Sequence, residues 1–172
     1  GGSTPSKTTG AGRASEGSRY VYLEASTNGT AGQIGNNATA ILESPCIDLT
    51  GESGVTFTFK YHMYGSNMGT LRLEVSTDGT TYTQIWSESG NQGNAWLDGS
   101  VSLNAYAGNT INLRFRGTTG SGWRSDMAID DLGISAGGGS SISCTQTTPS
   151  FPYRERFESR AGTFPPASGD DG

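Results

Sequence analysis

Leu, Ile, Val and Phe together supply only 27 of the 172 residues. No run of them approaches the roughly 20 consecutive apolar residues of a membrane-spanning helix, so membrane insertion is not expected. No window of useful length carries a helical apolar period. One histidine and two cysteines are too few for a zinc-finger array or a His-rich metal centre. GxSxG, HExxH, a P-loop and a GxGxxG in strand–helix context are all missing, which removes the common signatures of serine hydrolases, zinc proteases and nucleotide enzymes. Charged residues make up 16% of the chain, with a net charge of −5 and a pI near 4.8. That acidity argues against nucleic acid as a partner. The small apolar share taken alone suggests disorder, but the low charge density and the lack of like-charge runs oppose it. No basic stretch followed by an apolar one opens the chain, so any secretory leader is expected outside it.

What is abundant is turn chemistry: 27 Gly, 6 Pro and 43 Ser plus Thr. Between the turns lie short alternating segments. Val55–Tyr64 is the clearest. Val55, Phe57, Phe59, Tyr61 and Met63 fall on one face and Thr56, Thr58, Lys60, His62 and Tyr64 on the other, the period of a half-buried strand. Thr70–Ser76 and Thr110–Arg116 repeat the pattern, with Arg72, Arg114 and Arg116 facing outward. Further strands are expected at Tyr20–Ala25, Ala38–Leu42, Thr81–Ser87, Trp96–Leu103 and Met127–Ile134, and Thr77–Thr80 reads as a hairpin turn. Short strands at this spacing predict an all-β sandwich or barrel. Residues 1–18 are polar and Gly-rich and read as a surface loop or tail. Residues 1–135 form the main body. Residues 136–150 read as a linker, and 151–172 resume structured character with a strand at 153–157.

Several segments together resemble the MAM domain. These are Phe59–Gly65 (F-x-Y-x-M-x-G), Gly69–Val75 (GTLRLEV), Trp86, Leu113–Gly117 (LRFRG), Met127–Ile134 (MAIDDLGI) and Ser44–Leu49 (SPC-x-DL). The resemblance implies a jelly-roll antiparallel β-sandwich that serves extracellular adhesion or recognition. It is similar in particular to MAM-like modules of secreted bacterial hydrolases and proteases. The family's opening strand, ending in F-E, is matched only at Arg156–Ser159. The resemblance therefore implies that residues 151–172 supply the first strand and acidic loop of the same sandwich. A circular permutation fits that order, and so does a cut out of register from a tandem array. A strand swapped between molecules is a further expectation.

Cys46 and Cys144 are either two free thiols or one disulfide; the resemblance favours the disulfide, which a secreted module would also suit. Alternation sends Asp130 and Asp131 to opposite faces, so one carboxylate is expected inside, and a buried carboxylate must be paired or bound to a metal. Arg124 or Arg156 could pair with it. Glu158, Asp130 or Asp131, and Asp170 could instead cage a structural calcium, which takes six to eight oxygens. Related jelly-roll modules hold one in a similar place. His62 reads as an ordinary half-exposed strand residue. Trp86 reads as core. Trp96 and Trp123 sit near Gly-rich loops, where either could pack locally or stack on a sugar. Lys60, Arg72, Arg114 and Arg116 would form a basic patch if their strands are neighbours, able to grip sulfate or carboxylate. No catalytic constellation is present. The expected function is a non-catalytic, secreted recognition module that binds carbohydrate to target an attached enzyme. The alternative is a protein–protein adhesion or interaction module.

Overall fold

The computed structural model describes residues 4–27 and 32–137 and the backbone of residues 153–155. Two antiparallel sheets of five strands pack face to face. The first has the order β1 (Val21–Leu23), β9 (Met127–Ser135), β4 (Thr56–Met63) and β7 (Leu97–Ser102). β10 (Tyr153–Glu155) pairs with β9 in line with β1. The second sheet runs β2 (Thr39–Glu43), β8 (Thr110–Thr118), β5 (Thr70–Ser76) and β6 (Thr83–Ser89), and β3 (Ile47–Asp48) also pairs with β8. Among the described residues the only helix is a single 3₁₀ turn at Asn104–Tyr106. This is the expected all-β sandwich.

The core lies between the sheets, where period-2 alternation places every second side chain. Val55, Phe57, Phe59, Tyr61 and Met63 are all buried there, as their spacing predicts. Phe59 is the hub. Its ring meets Trp86 and Phe115 edge-on, each with centroids 4.9 Å away, an arrangement that adds quadrupole attraction to simple area burial. The Thr77–Thr80 turn forms as expected. The Asp78 carboxylate accepts the amides of Thr80 and Thr81 at 2.8 and 2.7 Å, which holds its pKa well below the usual carboxylate range.

Two expectations fail on the outer face of the first sheet. Of the two readings of residues 1–18, the tail fails for residues 4–18, which form a surface loop fastened to the sheet. Thr4, Thr9 and Ala11 are buried, and the Gly10 amide donates to the Tyr64 carbonyl at 2.9 Å. His62 is not half-exposed, because this segment and Trp96 cover it to 2% exposure.

Candidate functional site

The outer face of the second sheet carries the arginines. Register places Arg72 of β5 directly opposite Arg116 of β8. The same row continues to Ile41 on β2 and Ser87 on β6. The next row is Glu43, Arg114 and Glu74. Here the charges are already matched: Arg114 Nε donates to Glu74 Oε2 at 2.6 Å. The Arg114 guanidinium also lies 3.6 Å from the centre of the Tyr82 ring, and the Tyr82 hydroxyl donates to Glu43. Arg72 and Arg116 make no ion pair among the described residues. Two like charges directly opposite across a ladder repel. A ladder of hydroxyls borders this row, with Thr39 meeting Thr118 and Thr70 meeting Ser89.

The predicted four-member basic patch does not form. Lys60 belongs to β4, in the other sheet, and forms an ion pair with Asp98 at 2.5 Å. Of the two roles open to Trp96, the structure shows local packing. Its indole N–H donates to the Arg13 carbonyl at 2.9 Å, and its ring packs on Tyr20 and His62. It serves as a cover for the sheet and leaves little free surface for a sugar. Trp123 remains open, 44% exposed, with the Arg124 guanidinium 4.7 Å over its ring.

A second cluster lies beneath the N-terminal segment, on the outer face of the first sheet. Asp130 is buried there, but its carboxylate is satisfied. It accepts the amides of Ser15, Glu16 and Asp131 at 2.8, 3.2 and 2.9 Å. Burial raises its pKa, and those amides oppose the rise. Asp131 sits at φ 47°, at the bulge where β9 slips against β4. Glu158 and Asp170 lie outside the described residues. The expected calcium set of Glu158, Asp130, Asp131 and Asp170 is therefore not assembled among the described residues.

Sequence reasoning missed a different acid pair. Glu24 follows β1 and Asp126 precedes β9, and both are buried. Glu24 Oε1 accepts the Ser6 hydroxyl at 2.9 Å and the Ser26 amide at 3.1 Å. Asp126 Oδ1 accepts the Ala25 amide at 2.9 Å. The other oxygen of each, Glu24 Oε2 and Asp126 Oδ2, is buried without a partner. Burial, reinforced by the neighbouring Glu24 charge, pushes the Asp126 carboxyl up to about 7. Asp126 lies just before the alternating Met127–Ser135 strand, so period 2 gives no sign of its burial. Among the described residues no group of three or more His, Cys, Asp or Glu side chains converges as a metal centre. Two buried orphan carboxylate oxygens do suit a hard cation whose other ligands are carbonyls and waters.

His62 Nε2 meets Asn94 Oδ1 at 3.2 Å, and its Nδ1 is buried without a partner. It is not paired with a nucleophile. Cys46 is exposed and not disulfide-bonded, while Cys144 lies outside the described residues.

The profile of the MAM domain (meprin/A5/mu) matches residues 2–140. MAM domain-containing glycosylphosphatidylinositol anchor protein 1 of Gallus gallus is 34% identical over 120 residues, which covers 69% of this chain and 12% of the relative. Protein 2 of the same name from Mus musculus is 33% identical over 127 residues, covering 69% and 13%. Thyroid hormone-induced protein B of Xenopus laevis is 31% identical over 115 residues, covering 66% and 15%. The chain thus spans only a small part of each relative. Among solved structures, the K1 cleaved adhesin domain of Lys-gingipain from Porphyromonas gingivalis W83 aligns with a TM-score of 0.57 at 21% identity, over 80% of this chain and 82% of that one. The K2 adhesin domain of Lys-gingipain aligns at 0.51 and 21%, over 72% and 74%. These two likenesses support the sandwich fold, and the profile and relatives give its family: the chain belongs to the MAM domain family.

Proposed function

We propose that this MAM domain is a non-catalytic extracellular recognition module that binds an anionic polysaccharide on the outer face of its second sheet. One observation carries the reading: Arg72 and Arg116 face each other across β5 and β8 with no ion-pair partner among the described residues, while Arg114 one row away is paired with Glu74. A sulfate or carboxylate between two guanidinium forks relieves that repulsion and forms charge-assisted hydrogen bonds. The face is an open sheet and suits an extended chain better than a small molecule. A place at the cell surface or outside it fits relatives that carry a glycosylphosphatidylinositol anchor in their names. Among the described residues no helix is long and apolar enough to cross a membrane.

Binding to a glycan array of sulfated, carboxylated and neutral polysaccharides tests this. The expected result is retention by the anionic members only, weakening as salt rises. Arg72→Ser or Arg116→Ser should reduce affinity by about ten-fold, the order of one charged hydrogen bond. Binding that ignores both substitutions would defeat the reading. The second reading is a protein partner, favoured by Ile41, 50% exposed beside Arg116. It predicts that Ile41→Asp, and not the arginine changes, abolishes capture. We further propose that a structural calcium sits between Glu24 and Asp126, where it would supply the counter-charge for both carboxylates and tie the Ser6 segment to the sheet.

A further inference from the structure

At the entry to β2 the sequence reads Asn37-Ala38-Thr39, an N-x-[ST] triplet with no proline at its centre. Asn37 and Thr39 are both exposed, and Asn37 occupies a turn at φ 52°, a left-handed conformation that asparagine tolerates better than most residues. Its side-chain amide makes no hydrogen bond among the described residues. The main chain around it is fastened. The Asn37 amide donates to the Gly120 carbonyl and the Ala38 amide to Thr119 Oγ1, both at 2.9 Å, and Thr39 pairs with Thr118. The strand that follows is an edge. β2 ends the second sheet, and its five residues hold neither proline nor lysine. Its one charge, Glu43, accepts the Tyr82 hydroxyl, and Ile41 at its centre is 50% exposed. An edge so lightly guarded is a template for pairing with another chain.

We propose that Asn37 is the acceptor of an N-linked glycan, and that this glycan guards the β2 edge against pairing with a second copy of the chain. The inference uses the extracellular placement of the preceding reading but not its ligand. In the transfer, Asn37 Nδ2 attacks the anomeric carbon of a polyprenyl-diphosphate-linked oligosaccharide. The bond from that carbon to the diphosphate oxygen breaks and leaves its electron pair on the diphosphate. The new carbon–nitrogen bond forms, and one amide proton passes to a base of the transferase. Timing permits the reaction. The triplet must be unpaired to enter the transferase, and the Thr118 that meets Thr39 lies 79 residues later in the chain. At about 5–20 residues per second of synthesis, the triplet stays open for roughly 4–16 s before its partner exists. When β8 then closes on β2, a bulky solvated group stands at the head of the edge strand.

Secretion of the full chain from a eukaryotic cell line, followed by peptide mass mapping, tests the acceptor. Asn28-Gly29-Thr30 is a second such triplet. Enzymatic release of a glycan converts its asparagine to aspartate, so fragmentation assigns the site to Asn37 or to Asn28. The expected result is a glycan on Asn37. It should be lost in Asn37→Gly, which suits the positive φ, and in Thr39→Val, which suits the strand, and it should be kept in Thr39→Ser. An unmodified Asn37 in the secreted parent would overturn the proposal, as would a glycan on Asn37 that survives Thr39→Val. Light scattering tests the guarding role. Asn37→Gly should self-associate at a several-fold lower concentration than the parent, and Ile41→Lys added to it should reverse the change. Equal association of the parent and Asn37→Gly, or association that Ile41→Lys leaves in place, would overturn that role.

Discussion

At the scale of the residue, the informative side chains are polar groups buried outside the apolar core. His62 is 2% exposed, and burial lowers its pKa from the usual 6.5. Below pH 6.5 the unfolded chain takes up a proton that the native imidazole resists, so this residue's contribution is lost as pH falls from there. Asp126 acts in the opposite sense. Its folded pKa of about 7 lies above the usual 3.8, so its contribution is full below about 4 and fades as pH rises towards 7. A comparison of melting temperatures separates the two. The gap between the parent and His62→Gln should shift in favour of the variant from pH 7 to pH 5. A gap independent of pH would show that His62 is not held neutral. Calcium provides the second test at this scale. An ion held by Glu24 and Asp126 at about a hundred times its dissociation constant stabilises by roughly 2.7 kcal/mol. For a domain of this size that is a rise of about 5–10 °C in Tm. Glu24→Gln with Asp126→Asn should abolish the rise, and Asp130→Asn, whose side chain the ion would not touch, should keep it. Equal responses in all three proteins would remove the site.

At the scale of the element, β5 and β8 show a conflict between stability and recognition. Opposed like charges cost a few tenths to about 1 kcal/mol on a sheet. Arg72→Thr should therefore raise Tm slightly while it weakens anion binding, a combination that an ordinary solvated arginine would not give. Lys60→Ala, on the other sheet, should leave anion binding unchanged. The strand faces were legible in the residues, because packing against a core imposes period 2 on β4, β5 and β8. The sheet to which each strand belongs was not. β4 and β5 are consecutive in sequence, yet the chain crosses from one sheet to the other between them. Lys60 and Arg72 share an outward alternation and still end on opposite sides of the molecule. Pairing across the sheet is a long-range fact, so the Arg72–Arg116 opposition could not be read from either strand alone. β3, at two residues, was too short to carry any period. The turn entering β5 is equally demanding. A Cβ on Gly69 would collide with the Thr118 carbonyl oxygen and crowd the Gly120 amide. Both are backbone atoms that cannot swing aside. Gly69→Ala should cost about 1–3 kcal/mol in chemical denaturation, the usual range for overpacking.

At the scale of the whole molecule, the N-terminal segment is what composition concealed. It has almost no apolar residues, so by hydrophobic pattern it reads as a tail. It is held instead by hydrogen bonds, most of them to groups 55 to 117 residues away, which leave little local trace. Thr9 Oγ1 donates to the Tyr64 carbonyl at 2.9 Å and accepts the Asp126 amide at 3.1 Å. The Ala11 carbonyl accepts the Tyr20 hydroxyl, and the Arg13 carbonyl accepts the Trp96 indole. Ser15 and Glu16 close on Asp130. The segment thus bridges the ends of β1, β4 and β9 and the approach to β7, and it seals a polar layer over the first sheet. Each bond is worth about 1 kcal/mol net, but a buried group left unpaired costs more. Opening should therefore be cooperative. Arg13 gives a direct probe, because its side chain is exposed while its carbonyl is engaged. Trypsin should cut after Arg13 slowly in the folded protein, since the backbone must detach before it can enter a protease. Thr9→Val leaves the shape and removes both hydroxyl bonds, so it should speed that cut by about ten-fold or more, one lost buried partner being worth about 1–3 kcal/mol. Cleavage in the parent as fast as in a free peptide would mean that the segment lies on the sheet without being fastened to it.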